Sequence, residues 1–249
     1  MNILGIYIDE AFLSDPERLE RIRREDEAAE QDRKIRARER CYNYGYFDRA
    51  YTKARLSDCW NDKTRAQLQR YADNWELMKR KSIGLLLYGD VGRGKTFLAS
   101  AFANEIIERY GDAVLFGTAQ DYIDCYNSRK LSRFSPSDLE YKVRNYPLMV
   151  VDDLGATYES DYAQSIIENL IMIRSAQPSG VLIVTTNEAI NPEKAESLQN
   201  KRIYSRLMQL CPKSIYISGE DARAKLAADK LAEFDNVVNN KPRLSLSDL

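Results

Sequence analysis

Apolar and polar positions fall into a repeating order from Ser82 onward. Short apolar runs at 83–88, 113–116, 148–151, 181–185 and 214–217 alternate with longer stretches of helical periodicity. The helical stretches are 96–110, 119–131 with 138–144, 160–175 and 198–210, and a last one at 221–234 follows Gly219. Apolar runs that do not alternate predict strands buried on both faces. Helices between such strands supply the crossovers of a parallel sheet. The pattern therefore predicts an α/β fold: a parallel five-stranded sheet with helices on both faces.

The first third of the chain has a different texture. Ser14-Asp15 before Pro16 suits a helix start, and the run from Pro16 to Arg40 is heavily charged. Its apolar residues are few, Leu19, Ile22, Ile35 and some alanines. Two readings fit: a solvated helix held by Glu/Arg pairs three or four residues apart, or an arm that docks on a partner. Tyr42, Tyr44, Tyr46, Phe47 and Tyr51 follow, then Cys59-Trp60. Leu68, Tyr71, Trp75 and Met78 recur at helical spacing, which reads as the buried face of a helix before it reads as a base-stacking surface. The expected organisation is a charged N-terminal arm (1–50), a linker and helix (51–81), the α/β core (82–235) and a polar tail (236–249). No internal repeat is visible.

Chemistry-bearing residues sit where the apolar runs end. Gly89-Asp90-Val91-Gly92-Arg93-Gly94-Lys95-Thr96 fits G-x-x-x-x-G-K-[ST] between a strand and a helix that continues with Phe97. Glycines let successive backbone N–H groups turn toward phosphate oxygens, and the helix N-terminus adds favourable partial charge. Lys95 is expected to reach the β- and γ-phosphates of ATP, and the Thr96 hydroxyl to ligate Mg2+. At 148–153, four apolar residues lead to Asp152 and Asp153 at the end of a strand where α/β sheets bind ligands. Asp152 is placed to hold magnesium and Asp153 to orient or deprotonate an attacking water; a solvated acidic turn before Gly155 is the plainer alternative. The run 181–187 ends in Thr185-Thr186-Asn187. Asn187, with Thr186 second, is expected to face the γ-phosphate or the water, against the plainer reading of a turn residue before a helix cap. Arg202 and Arg206 share one helix face, and such an arginine can act on a neighbouring subunit's nucleotide or simply be solvated.

Composition narrows the chemistry. The 249 residues are 44% hydrophobic and 30% charged with net charge −1, so a contact with nucleic acid must use a local patch. With no histidine, Ser-His and Cys-His nucleophiles are excluded. The four cysteines, Cys41, Cys59, Cys125 and Cys211, form no C-x-x-C pair and read as reduced packing residues. Apolar runs are far shorter than the ~20 residues of a membrane span, and the first residues lack the basic start and cleavage site of a signal peptide. A cytoplasmic protein without membrane contact is expected.

Taken together, GLLLYGDVGRGKTFLASAFANE, LMVVDDLG, LIVTTN, RIYSRLMQLC and GEDAR resemble the AAA+ ATPases, specifically the DnaC/IstB group of bacterial and phage helicase loaders. The resemblance covers residues 83–223, and 54–59 with the helix carrying Tyr71 and Trp75 resembles the lead-in segment. It implies Walker B roles for Asp152 and Asp153, sensor 1 for Asn187, an arginine finger at Arg206 and sensor 2 at Arg223. It also implies a single-stranded DNA surface between the Walker strands, here Tyr126, Arg129, Lys130, Arg133, Phe134, Lys142 and Arg144, although an ordinary solvated helical pair would look the same. Asp153 stands where most AAA+ motors have Glu, which suits a slow switch. Arg93 stands where a small residue is usual and is expected to point outward. The N-terminus lacks the cysteine cluster of zinc-bearing loaders.

The expected function is an ATP-dependent loader that self-associates through shared ATP sites and presents its arm to a replicative DNA helicase. One alternative is an IstB-type helper delivering a transposase to target DNA. Another is a nucleotide-dependent scaffold with negligible hydrolysis. A small-molecule P-loop kinase would not need the Arg206 and Arg223 pattern.

Overall fold

Leu85 and Leu87 pack into one apolar cluster and Leu86 into another, which is the signature of a strand buried on both faces. A computed structural model of the chain describes residues 2–3, 6–7, 16–44, 51–127, 134–155, 160–187, 189–195, 197–219, 230–235 and 238. Two short strands, β1 (Asn2–Ile3) and β2 (Ile6–Tyr7), pair antiparallel. The main sheet contains β3 (Leu85–Tyr88), β4 (Val114–Thr118), β5 (Leu148–Leu154), β6 (Val181–Thr186) and β7 (Lys213–Tyr216). Its order is β4-β5-β6-β3-β7 and every pairing is parallel.

The strand carrying the glycine-rich loop thus has β6 and then β5 on one side and β7 on the other. One face of the sheet, with Leu85, Leu87, Phe116, Val150, Ile183 and Ile215, is covered by α4 (Lys95–Tyr110) and by residues of the linker. The other, with Leu86, Leu115, Met149, Val151, Leu182 and Val184, is covered by α5 (Ala119–Tyr126), α6 (Pro136–Asn145), α7 (Asp161–Ser175) and α8 (Leu198–Leu210). The ends of β5 and β6 opposite the site are fixed by Arg174, which is 2% exposed. Its guanidinium donates to the carbonyls of Val143, Tyr146, Pro147 and Val181 at 2.7–2.9 Å. Burial pulls its pKa down to about 10, so it still carries its charge at neutral pH.

Upstream, α1 (Pro16–Tyr44) is exposed along most of its length and carries Glu/Arg, Glu/Lys and Asp/Arg pairs at three- and four-residue spacing. Leu19, Ile22 and Ile35 remain 47%, 42% and 48% exposed, while Ala37 is buried in the cluster that holds α4. The linker residues form α2 (Asp62–Asp73) and α3 (Trp75–Arg80). Trp75 is fully buried and donates to Asp112, and Asn104 of α4 donates to the carbonyls of Tyr51 and Ala54.

Several element ends differ from the periodicity. The Leu68–Met78 stripe is shared by two helices, broken at Asn74, whose side chain donates to the Arg70 carbonyl and so competes with the helical ladder. The helix expected over 119–131 ends at Tyr126, where Asn127 turns to extended backbone; Leu131 lies outside the described residues. β4 continues to Thr118 and β5 to Leu154, beyond the apolar runs expected at 113–116 and 148–151, because parallel neighbours keep pairing there. Among the described residues no helix is long and apolar enough to cross a membrane.

Candidate functional site

Helices α5, α6, α7 and α8 each start with a side-chain acceptor: Thr118, Ser135, Ser160 and Ser197. Helix α4 does not. Its N-cap is Gly94, left-handed at φ 80°, so its first N–H groups have no side-chain cap and suit an anion. Gly92 is also left-handed at φ 81°. These two glycines curl the chain between β3 and α4, a path that a Cβ would strain. Lys95 is 7% exposed, and its Nζ donates to the carbonyls of Gly89 and Asp90 at 2.8 Å each. The ammonium is therefore held inside the curl of the loop.

The tip of β5 meets this loop. Asp152 is 4% exposed; Thr96 Oγ1 donates to its Oδ2 at 2.9 Å and Thr185 Oγ1 to its Oδ1 at 2.5 Å. Burial pushes the Asp152 carboxyl above its ordinary value; the two hydroxyls oppose that shift, and the Asp153 charge adds to it. Asp153 is exposed and left-handed at φ 54°, inside a register shift between Val151 and Leu154. That bulge turns two adjacent carboxylates in different directions. Thr185 Oγ1 accepts the Asp153 N–H at 2.8 Å and pins the bulge. Asn187 Nδ2 lies 3.5 Å from Asp153 Oδ1, and Thr186 is buried.

Lys95, Thr96, Asp152, Asp153 and Asn187 are thus brought to one end of the sheet. A hydroxyl and a carboxylate 2.9 Å apart are hard oxygen donors that fit magnesium, which takes one or two protein oxygens and fills its shell with phosphate and water. Among the described residues no group of three or more His, Cys, Asp or Glu forms an all-protein cage.

Thr185 was missed by sequence reasoning, which looked to Thr186 and Asn187; its only signal is a hydroxyl at the end of an apolar run. Trp60 was missed as well. Its six-membered ring packs on Gly94, where a Cβ would collide with it, and its Nε1 donates to the Ser218 carbonyl at 3.2 Å. Phe97, in the first turn of α4, lies 6.1 Å from that ring.

Arg93 does not point outward as expected: it donates to the Gly219 carbonyl and pairs with Asp90 at 3.7 Å. The cause is proximity, since the segment after β7 passes the loop, with Ile217 N–H donating to the Tyr88 carbonyl. Val91 is exposed. Arg202 and Arg206 lie on α8 off its buried face of Ile203, Leu207 and Leu210; neither makes a hydrogen bond or ion pair among the described residues. Phe134 is half-buried, and Lys142 Nζ lies 4.7 Å from its ring centre. Arg129, Lys130, Arg133 and Arg223 lie outside the described residues.

A parallel sheet ordered β4-β5-β6-β3-β7, a glycine-rich loop between β3 and α4, and an acidic pair closing β5 define a P-loop domain of the AAA+ type. The chain matches the family described as IstB-like ATP binding protein over residues 8–226 and belongs to that family. The replicative helicase loader DnaC of Escherichia coli K12 is 33% identical over 122 residues, 48% of this chain and 47% of the relative. The match therefore spans about half the length of that curated relative. A crystal structure of DnaI is 26% identical, with TM-score 0.58, covering 72% of this chain and 95% of the other. A crystal structure of the DnaC helicase loader, 21% identical with TM-score 0.55 over 69% and 100% of the two chains, shares the fold. So does AMPPCP-bound DnaA from Aquifex aeolicus, 20% identical with TM-score 0.54 over 80% and 59%.

Proposed function

We propose that this chain is an ATP-dependent loader of a replicative DNA helicase onto single-stranded DNA, with Mg-ATP binding and slow hydrolysis as the assembly switch. The observation that carries the nucleotide part is the contact of Thr96 and Asp152 across the mouth of the glycine-rich loop. Phosphates would lie against the N-terminus of α4, with Lys95 moving from the loop carbonyls onto the β- and γ-oxygens. Thr96 and Asp152 would hold magnesium, which supplies charge neutralisation on the phosphates when bound. The exposed Asp153 would orient the attacking water, with Asn187 beside it. Asp153 is one methylene shorter than the usual Glu, which favours a slow reaction and a switch over a motor.

The loader part is supported by the likeness to the helicase loader DnaC and by α1, a long charged helix that exposes Leu19 and Ile22 and is suited to docking. Arg206 would complete the site across a subunit boundary, and Arg223 would contact the nucleotide as sensor 2. Arg129, Lys130, Arg133 and Phe134 would contribute to a DNA surface. The experiment is co-purification with a hexameric replicative helicase, followed by loading of that helicase on single-stranded DNA with and without ATP. The expected result is ATP-dependent loading. Protein that neither binds a helicase nor changes its loading sinks the reading. The family description favours one second reading, an IstB-type helper, in which a transposase is captured instead.

A further inference from the structure

Trp60 reaches the glycine-rich loop from the linker, on the side away from the carboxylates. It is firmly presented: Cys59 before it is buried, and Asn61 after it caps α2 by accepting the Thr64 N–H at 3.0 Å. The indole lies on Gly94 and is tied through Nε1 to Ser218, yet 43% of the residue stays exposed beside the loop. Arg93 of the loop is bonded to Gly219, the next residue along. Two side chains, one from the linker and one from the loop, therefore grip the same 217–219 strap, which leaves β7 and leads into the C-terminal segment.

The sheet order gives a bound nucleotide its direction. β6 and β5, with Thr185, Asp152 and Asp153, lie on one side of β3, and β7 with the strap lies on the other. A triphosphate whose last phosphate meets the carboxylates extends its nucleoside toward the strap and Trp60. An exposed indole there is a flat apolar face for a purine, and stacking on it needs no edge recognition.

We propose that Trp60 and Arg93 form a latch at the base end of the nucleotide site. Trp60 stacks on the nucleobase while Arg93 holds the strap at Gly219 to the loop, so a complete nucleotide stiffens the segment leaving β7. This rests on the reading of Gly89–Thr96 as a nucleoside triphosphate site. It gives Arg93 a role within its own subunit.

The test compares magnesium complexes of ATP and of inorganic tripolyphosphate on the full chain, by calorimetry, acrylamide quenching and hydrogen exchange. The protein has two tryptophans and Trp75 is fully buried, so acrylamide reports Trp60. ATP should shield Trp60 and slow exchange at 217–219, and tripolyphosphate should do neither. Trp60→Ala should weaken ATP about 10- to 100-fold and leave tripolyphosphate unchanged, with Trp60→Phe restoring most of the loss. Arg93→Ala should abolish the ATP-dependent protection of the strap. Equal losses for both ligands in Trp60→Ala, or a Trp60 that ATP does not shield, overturn the latch while leaving the nucleotide site standing. Wild-type protein that binds neither ligand overturns the nucleotide-site reading and the latch with it.

Discussion

Asp152 and Asp153 are chemically identical neighbours in the chain with opposite surroundings. Asp152 is enclosed by two threonine hydroxyls, and Asp153 faces solvent from a left-handed residue. Burial raises the Asp152 pKa above its ordinary 3.8, so folding shifts this carboxyl toward its neutral form relative to the unfolded chain. The sign follows from linkage: without a cation, this residue's contribution to stability is present below 3.8 and lost as pH rises through the raised value. A bound cation reverses the preference, because the carboxylate must then be ionised. Affinity for Mg-ATP should therefore be full above the raised pKa and fall as pH drops through it. Asp152→Asn should weaken Mg-ATP above the raised pKa, where the wild-type carboxylate is ionised, and flatten this dependence. Thermal unfolding against pH, with and without Mg-ATP, checks both statements. A wild-type profile that matches the Asn variant contradicts them.

Individual elements were legible to different depths. The five strands and the helix after the glycine-rich loop follow from apolar runs and helical periodicity, because each buries its apolar residues locally. The bulge in β5 was not legible, since a register shift belongs to two strands at once. Thr185 joins them: it accepts from the backbone of Asp153 on β5 and donates to the carboxylate of Asp152. Thr185→Val keeps the shape and removes both bonds. It should lower magnesium-dependent ATP hydrolysis about 10- to 100-fold, as loss of a residue that orients a metal ligand does. Hydrolysis rates at saturating ATP, with circular dichroism to establish folding, would measure this. An unchanged rate would mean that Thr185 only packs.

At the scale of the whole molecule, the sheet order sets the carboxylates of β5 and the aromatic residue Trp60 on opposite sides of one loop. Arg206 sits on α8 without an ion-pair partner among the described residues, and in the proposed assembly it would act on another subunit. Arg206→Ala should keep ATP binding and lower hydrolysis by up to ~10³ to 10⁵. Mixing it with Lys95→Ala protein should recover part of the activity, since each variant retains the half of the site that the other lacks. No recovery across a range of mixing ratios would argue against a shared site.

By itself the sequence determined the parallel α/β class, the position of the glycine-rich loop, and the residue types at the ends of its strands. These depend on local periodicity and on backbone freedom at glycine, which a chain carries wherever it folds. Only the tertiary structure decided which of two adjacent aspartates is buried, that Thr185 lies between them, and that Trp60 and Arg93 meet the strap after β7. Those contacts join residues far apart in the chain, and nothing in the local pattern around Trp60 or Arg93 indicates the other partner. Packing of the linker against α4, and the placement of β7 beside β3, bring them together.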